Sequence, residues 1–177
     1  MPRQPVYHAQ MATFYDHITP EQAALISQMR IFFVASADPA LKWNDEGAGP
    51  VNLSPKGSAL LHVIDPRRVA YLDYSGSGNE TARHVSAGGP ITLMVCSFDD
   101  NAAIVRLYGT AQVVSLDESP LAKQLLDAAP PEGQRPLKAR QVIDVRVEKT
   151  MTSCGYGVPL IAQVDERAKD QRGRKYK

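Results

Sequence analysis

The chain has little of what usually announces a function. Its two cysteines, Cys96 and Cys154, are too few for a disulfide framework or a cysteine-rich metal site. That usage suits a reduced setting, and a cytoplasmic protein is the expectation. The four histidines, His8, His17, His62 and His84, are scattered without metal-ligand spacing. Neither charge dominates: 20 Lys and Arg stand against 19 Asp and Glu, a formal net charge of +1. Nucleic acid and acidic membrane surfaces are therefore not expected as main partners. No apolar run approaches the roughly 20 residues that cross a bilayer. The opening Met1-Pro2-Arg3-Gln4-Pro5 lacks the charged-then-apolar order of a signal peptide. There is no internal repeat and no low-complexity segment.

What is present is an ordinary globular balance, 44% hydrophobic and 22% charged over 177 residues, enough for one domain with a real core. That domain is expected over residues 1–165, with an N-terminal helix. A basic tail, Glu166 to Lys177, follows it as a solvated end.

Local signals organise the domain. Thr19-Pro20-Glu21-Gln22 offers an N-cap, a proline at the first helical position and a Gln that closes a capping box. Ala23, Leu25, Ile26 and Met29 continue it as an apolar stripe. Ile31 to Ala37 reads as a strand, followed by a loop from Asp38 to Gly49 that carries the single tryptophan, Trp43. Val51 to Gly57 reads as a further strand. Ala59–Ile64 and Val69–Tyr74 form a hairpin across Asp65-Pro66-Arg67-Arg68, good type I turn chemistry. A short helix after Asn79 stops at Gly88-Gly89-Pro90. Ile91–Phe98 and Ala103 onward pair across Asp99-Asp100-Asn101. Gly109 is expected to bulge or bend the long run to Leu116. Ser119-Pro120 opens a helix reaching about Ala128. Ala129 to Arg140 is expected to be irregular, and Gln141 to Lys149 a strand. Short antiparallel connections and few helices point to a small barrel. A doubly wound sheet would need a helix between most strands.

Three constellations could carry chemistry. Ser75-Gly76-Ser77-Gly78-Asn79-Glu80-Thr81 leads a flexible turn into a helix N-terminus, a place that suits phosphate. Asn79 could cap, Thr81 could donate, and Arg83, one turn on, could supply the countercharge. Glu80 opposes this, because a carboxylate in the first turn already answers the dipole. A capped surface helix is the plainer alternative, and the spacing matches neither familiar glycine motif. In Ser54-Pro55-Lys56-Gly57 the proline constrains the backbone and Lys56 projects toward a phosphate or ring carbonyl, or simply into solvent. In Ser153-Cys154-Gly155-Tyr156-Gly157-Val158-Pro159 two glycines bracket a tyrosine, as at a ligand or subunit contact. No base lies near Cys154 in sequence, so a nucleophilic cysteine is not expected. His62 is expected to be packed or pocket-lining, and Tyr71 and Tyr74 to be core and rim.

Together these pieces resemble the pyridoxamine 5'-phosphate oxidase-related family of FMN-binding split barrels. The resemblance rests on Val51 to Gly57, on Val69 to Tyr74 with the turn and the Asn79-to-Val85 helix, on Ile91 to Val95, and on Arg106 to Ala111. Cys154 to Pro159 is similar to one subgroup. The family implies a mainly β protein with peripheral helices, a six-stranded antiparallel split β-barrel. It also implies a homodimer with FMN at the subunit interface. Carried over residue by residue, Ser54 and Lys56 fall near the start of the flavin-contacting strands. Leu72, Asp73 and Tyr74 match the strand end whose backbone faces the ring. Asn79, Glu80, Thr81 and Arg83 match the phosphate-holding region. The sequence departs from true pyridoxamine phosphate oxidases in having Asn79-Glu80-Thr81 where they carry a Ser-Arg-Lys type triplet. Gly57 and His62 align where they carry Arg and Lys. Their substrate-binding Arg and His near the C-terminus have no evident match, so vitamin B6 oxidation is not expected.

The leading expectation is therefore an FMN-dependent oxidoreductase acting on an unknown small molecule. Ser54, Lys56, Leu72, Asp73, Tyr74, Asn79, Thr81 and Arg83 are its cofactor-binding residues. No side chain is assigned as catalytic and no metal is expected. The alternatives are a flavin-binding sensor or carrier without turnover, an F420-dependent reductase, and a barrel without cofactor.

Overall fold

The computed structural model describes residues 12–45, 47–76, 78–129 and 137–161. The N-terminal Met1-to-Pro5 stretch, Ser77, the middle of the proline-rich segment and the basic tail lie outside them. In chain order the elements are β1 (Ala12–Tyr15), α1 (Pro20–Gln28), β2 (Phe32–Ala37), β3 (Val51–Lys56), β4 (His62–Asp65) and β5 (Arg68–Tyr74). Then come α2 (Glu80–Ser86), β6 (Ile91–Cys96), β7 (Ala103–Ser115), α3 (Ala122–Ala128) and β8 (Ala139–Cys154).

The eight strands among the described residues join one sheet in the order β3-β2-β6-β7-β8-β5-β4, with β1 added along β8. Every pairing is antiparallel. The protein is mainly β with peripheral helices, as expected. The strand count is eight rather than six, because β1 pairs with the end of β8 and β3 and β4 form the two outer edges. The ribbon of β7 and β8 organises the rest. The first half of β7 pairs β6, and the first half of β8 pairs β5. The ribbon thus bends the sheet around one core. The bend falls where expected: the β7–β8 register shifts between Tyr108 and Gly109. A Cβ on Gly109 would fall on the Arg146 carbonyl oxygen, so only glycine allows the two backbones to approach this closely.

The principal core gathers Phe32, Val34, Val69, Tyr71, Leu93, Val105, Leu107, Ile143, Val145 and Val147, with Leu25 and Ile26 of α1. Phe32 and Tyr71 meet edge to face at 5.1 Å. A second cluster lies under α3, where Leu121 and Leu125 pack on Ala70, Leu72 and Val142. Several local signals act as read, whereas β4 begins at His62 rather than Ala59 and α3 at Ala122 rather than at Ser119-Pro120. Thr19 accepts from the Gln22 N–H while the Gln22 side chain accepts from the Thr19 N–H. The Arg67 N–H donates 2.7 Å to Asp65 Oδ1 in the β4–β5 turn. Gly88, at φ +83°, closes α2. Ala139 and Arg140 depart from expectation. They are not irregular but open β8, where Ala139 pairs Tyr74 of β5. Nothing local marks them, since their extension comes from pairing with β5.

Candidate functional site

The end of β5 carries a buried carboxylate. Asp73 is 6% exposed, and such a group needs partners. Arg140 of β8 donates to its Oδ2 from Nη2 at 2.6 Å and from Nε at 3.2 Å. Gln141 Nε2 donates to the same oxygen at 2.9 Å. Oδ1 has Lys56 Nζ of β3 at 3.7 Å. Asp73 thus ties β3 and β8 to β5. Arg140 Nη2 also reaches the Gly78 carbonyl at 3.4 Å, and Gln141 Nε2 donates to Asn79 Oδ1 at 3.1 Å. The network therefore positions the turn before α2.

Above this network lies a cleft of ≈ 230 Å³ lined by Asn52, Ser54, Asp73, Gly78 to Ala82 and Arg140. Alternation along β3 places its lining. Asn52, Ser54 and Lys56 turn to the interior side, while Val51, Leu53 and Pro55 face outward. Asn52 Nδ2 donates to Thr81 Oγ1 at 3.1 Å, fixing the Thr81 oxygen and leaving its proton for another acceptor. The Ser54 hydroxyl is buried in the cleft wall and has no hydrogen-bond partner among the described residues. Arg83 Nη2 lies 3.3 Å from Glu80 Oε1. Asn79 makes no side-chain cap and instead accepts from Gln141. The expected use of Asn79 as a cap is thereby corrected: the long-range bond to β8 takes its side-chain oxygen.

Ser54, Asp73, Asn79 and Thr81 share the cleft, Lys56 enters through Asp73, and Arg83 stands behind Glu80. Leu72 and Tyr74 do not line it. They flank Asp73 on the opposite face of β5 and border a small hollow with Ser58, Leu60, His62 and Leu125. Burial holds the His62 imidazole below its ordinary pKa. His84 sits on the inner face of α2, with Nδ1 3.0 Å from Ser36 Oγ. Sequence reasoning missed Asn52, Arg140 and Gln141. Asn52 has a signal, since period-2 alternation puts it on the same face as Ser54. The other two lie in a stretch whose strand character was not visible. The Cys154 segment ends β8, far along the strand from Arg140. Gly155 N–H donates 2.7 Å to the Ala102 carbonyl, and a Cβ there would come within 3.0 Å of the Ala102 carbonyl carbon. This glycine packs on the β6–β7 hairpin. Cys154 and Tyr156 are exposed. Among the described residues no group of His, Cys, Asp and Glu is arranged to hold a metal ion. No helix among them is long and apolar enough to cross a membrane.

The family profile named for pyridoxamine 5'-phosphate oxidase matches residues 18–154, which contain every residue of the cleft. The chain belongs to the pyridoxamine 5'-phosphate oxidase family. A relative from Aspergillus flavus, the pyridoxamine 5'-phosphate oxidase family protein ustO, is 34% identical over 154 residues. That match covers 85% of this chain and 57% of the relative, so the chain spans little more than half its length. Among solved structures, HupZ of Group A Streptococcus superposes with a TM-score of 0.56 at 22% identity, over 75% of this chain and 91% of the other. An FMN-binding protein from Syntrophomonas wolfei gives 0.54 at 10% identity, over 73% and 82%. At these identities the likeness establishes the family's split-barrel fold.

Proposed function

We propose that this family member binds FMN in the cleft between β3, β5, α2 and β8, and works as a flavin-dependent oxidoreductase on a small molecule. The observation that carries the reading is the buried, unpartnered Ser54 hydroxyl in a wall otherwise made of satisfied polar groups. A buried hydroxyl without a partner is costly, and a ligand rich in hydroxyl and carbonyl groups removes that cost. The donor set fits FMN. Lys56, Arg140 and Arg83 supply cationic charge for a phosphate. Ser54, Thr81 and Asn79 offer hydroxyl and amide groups for the ribityl chain and ring edge. Asp73 holds Arg140 and Lys56 in place. The FMN-binding neighbour with the same fold supports the choice. Bound FMN would supply hydride or electron transfer, and the protein's part is to position it and set its polarity.

A homodimer completes the reading. The cleft, at ≈ 230 Å³, is smaller than the roughly 300 Å³ at which ligand pockets usually begin. The strand lining it is a sheet edge with an apolar outer face, where Val51 and Leu53 are 66% and 68% exposed. The face continues through successive register partners: Pro55, Phe33, Met94, Arg106, Met151 and Phe14 form one row across six strands. A face this broad, apolar but for Arg106, suits a second copy. With Cys96 and Cys154 both unpaired, the cytoplasm is the proposed setting.

The test is the visible spectrum of the purified protein with mass identification of the released chromophore. Bands near about 370 and 450 nm with FMN released support the assignment. A single band near about 420 nm would replace FMN by a deazaflavin. A colourless protein that takes up no added FMN overturns the reading. Anaerobic reduction, followed by reoxidation with candidate acceptors, separates an enzyme from a carrier.

A further inference from the structure

The Glu80 carboxylate sits in an unusual place for a residue in a site read as taking a phosphate. It lines the cleft. Its Oε1 lies 3.3 Å from Arg83 Nη2. The side chain also folds back onto Gly78, so closely that a Cβ there would fall inside the carboxylate. The Gly78 carbonyl, in turn, accepts from Arg140. One carboxylate therefore occupies a slot bounded by a bare glycine backbone and the Arg83 guanidinium, beside the Arg140 network. Around the cleft, the charges of Lys56, Arg83 and Arg140 are opposed by Asp73 and Glu80. Asp73 is committed to Arg140, Gln141 and Lys56. Among the described residues Glu80 pairs with Arg83 alone, and with 24% of its side chain exposed it is the carboxylate free to leave.

We propose that Glu80 is an internal anionic plug. It pairs with Arg83, must swing aside when a phosphorylated ligand enters, and so sets how strongly the cleft prefers a phosphorylated flavin over an unphosphorylated one. The inference rests on the flavin reading above. Physically, an incoming dianion meets two costs at this slot: the lost Glu80–Arg83 contact and repulsion from a carboxylate displaced only a short way. A neutral ligand end meets neither. The site consequently discriminates weakly between the two forms, and its binding of the dianion loosens as salt screens the remaining cations.

The experiment measures equilibrium binding of FMN and riboflavin to the full chain and to two variants. Glu80→Gln keeps the shape and removes the charge. Gly78→Ala keeps the charge and pushes the Glu80 carboxylate out of its slot through the added Cβ. Thermal melting is recorded first to confirm that each variant is folded. Glu80→Gln is expected to tighten FMN about tenfold, the scale of one partly exposed charged contact, and to leave riboflavin within about twofold. Gly78→Ala is expected to shift the FMN-to-riboflavin preference in the same direction. If Glu80→Gln moves both ligands equally, or neither, the plug is wrong while the flavin reading stands. If Gly78→Ala leaves the preference unchanged while Glu80→Gln raises it, Glu80 acts by its charge and the slot assignment is overturned. If neither flavin binds wild type or variants, the flavin reading itself fails and takes the plug with it.

Discussion

Along β5, Val69 and Tyr71 meet Phe32, Ile143 and Val145 in an apolar cluster. Two residues further, Asp73 meets Arg140, Gln141 and Lys56. Both places are buried and both join β5 to β8, yet they are stabilised differently. The interior is held by area removed from water, which is non-directional and tolerates conservative change. The cleft is held by a few directed bonds among charges, where removing one member strands the others. The interior can even carry an imperfection: the Tyr71 hydroxyl is fully buried without a partner among the described residues. The cleft wall carries one as well, at Ser54, but there an open space adjoins it. An unsatisfied group costs stability in either place, and only the second can be satisfied by a ligand.

Substitutions can sharpen or break this contrast. The largest effect is expected at the scaffold, where Gly109→Ala drives a Cβ into the Arg146 carbonyl. A loss of about 3–4 kcal/mol in denaturant unfolding is expected, with any remaining folded protein binding flavin normally. Asp73→Ala comes next. It leaves Arg140 and Lys56 facing each other, and because both are partly exposed the expected loss is about 2–3 kcal/mol, together with most flavin affinity. Intact binding in that variant would show the cleft to be as indifferent to its members as the core. The double variant Lys56→Ala with Arg83→Ala should weaken FMN by about 2–4 kcal/mol, with a smaller loss of stability than Asp73→Ala because Arg140 and Gln141 still hold the Asp73 carboxylate. Unchanged affinity there removes the phosphate assignment.

The smallest effect is expected inside the barrel. Tyr71→Phe removes a buried hydroxyl that has no partner among the described residues, so stability should hold or rise by up to about 1 kcal/mol. The pH dependence is the sharper readout. Burial, and then the nearby Asp73 carboxylate, hold the Tyr71 phenol above its ordinary value. The unfolded chain therefore ionises first. The stabilisation is complete below about pH 10 and is lost as pH rises beyond it. Denaturation curves above that pH should be flatter for Tyr71→Phe than for the wild type. Identical slopes would mean that water already reaches the hydroxyl.

Much of this could be read from the chain. The Thr19 capping box, the Asp65 turn, the bend at Gly109 and the stop at Gly88 each depend on residues within one turn or pair of strands. Local sequence determines such features because their partners are neighbours in the chain or follow from backbone shape. The order of motifs from Val51 to Ala111 likewise sufficed to place the chain in its family. Ser54, Asp73, Asn79 and Thr81 could be named as one group by that resemblance.

Only the tertiary structure decided how those residues are used. Arg140 lies 67 residues from Asp73 in sequence, and Gln141 lies 62 from Asn79. No local pattern announces such pairs, because β8 brings them to β5 by long-range pairing. The same pairing turns Leu72 and Tyr74 away from the cleft, since alternating residues of a strand face opposite sides. It also takes Asn79 from capping and leaves Glu80 against Gly78. The sequence determined the fold and the types of group available; the meeting of β3, β5, α2 and β8 decided which of them face the cleft and which face one another.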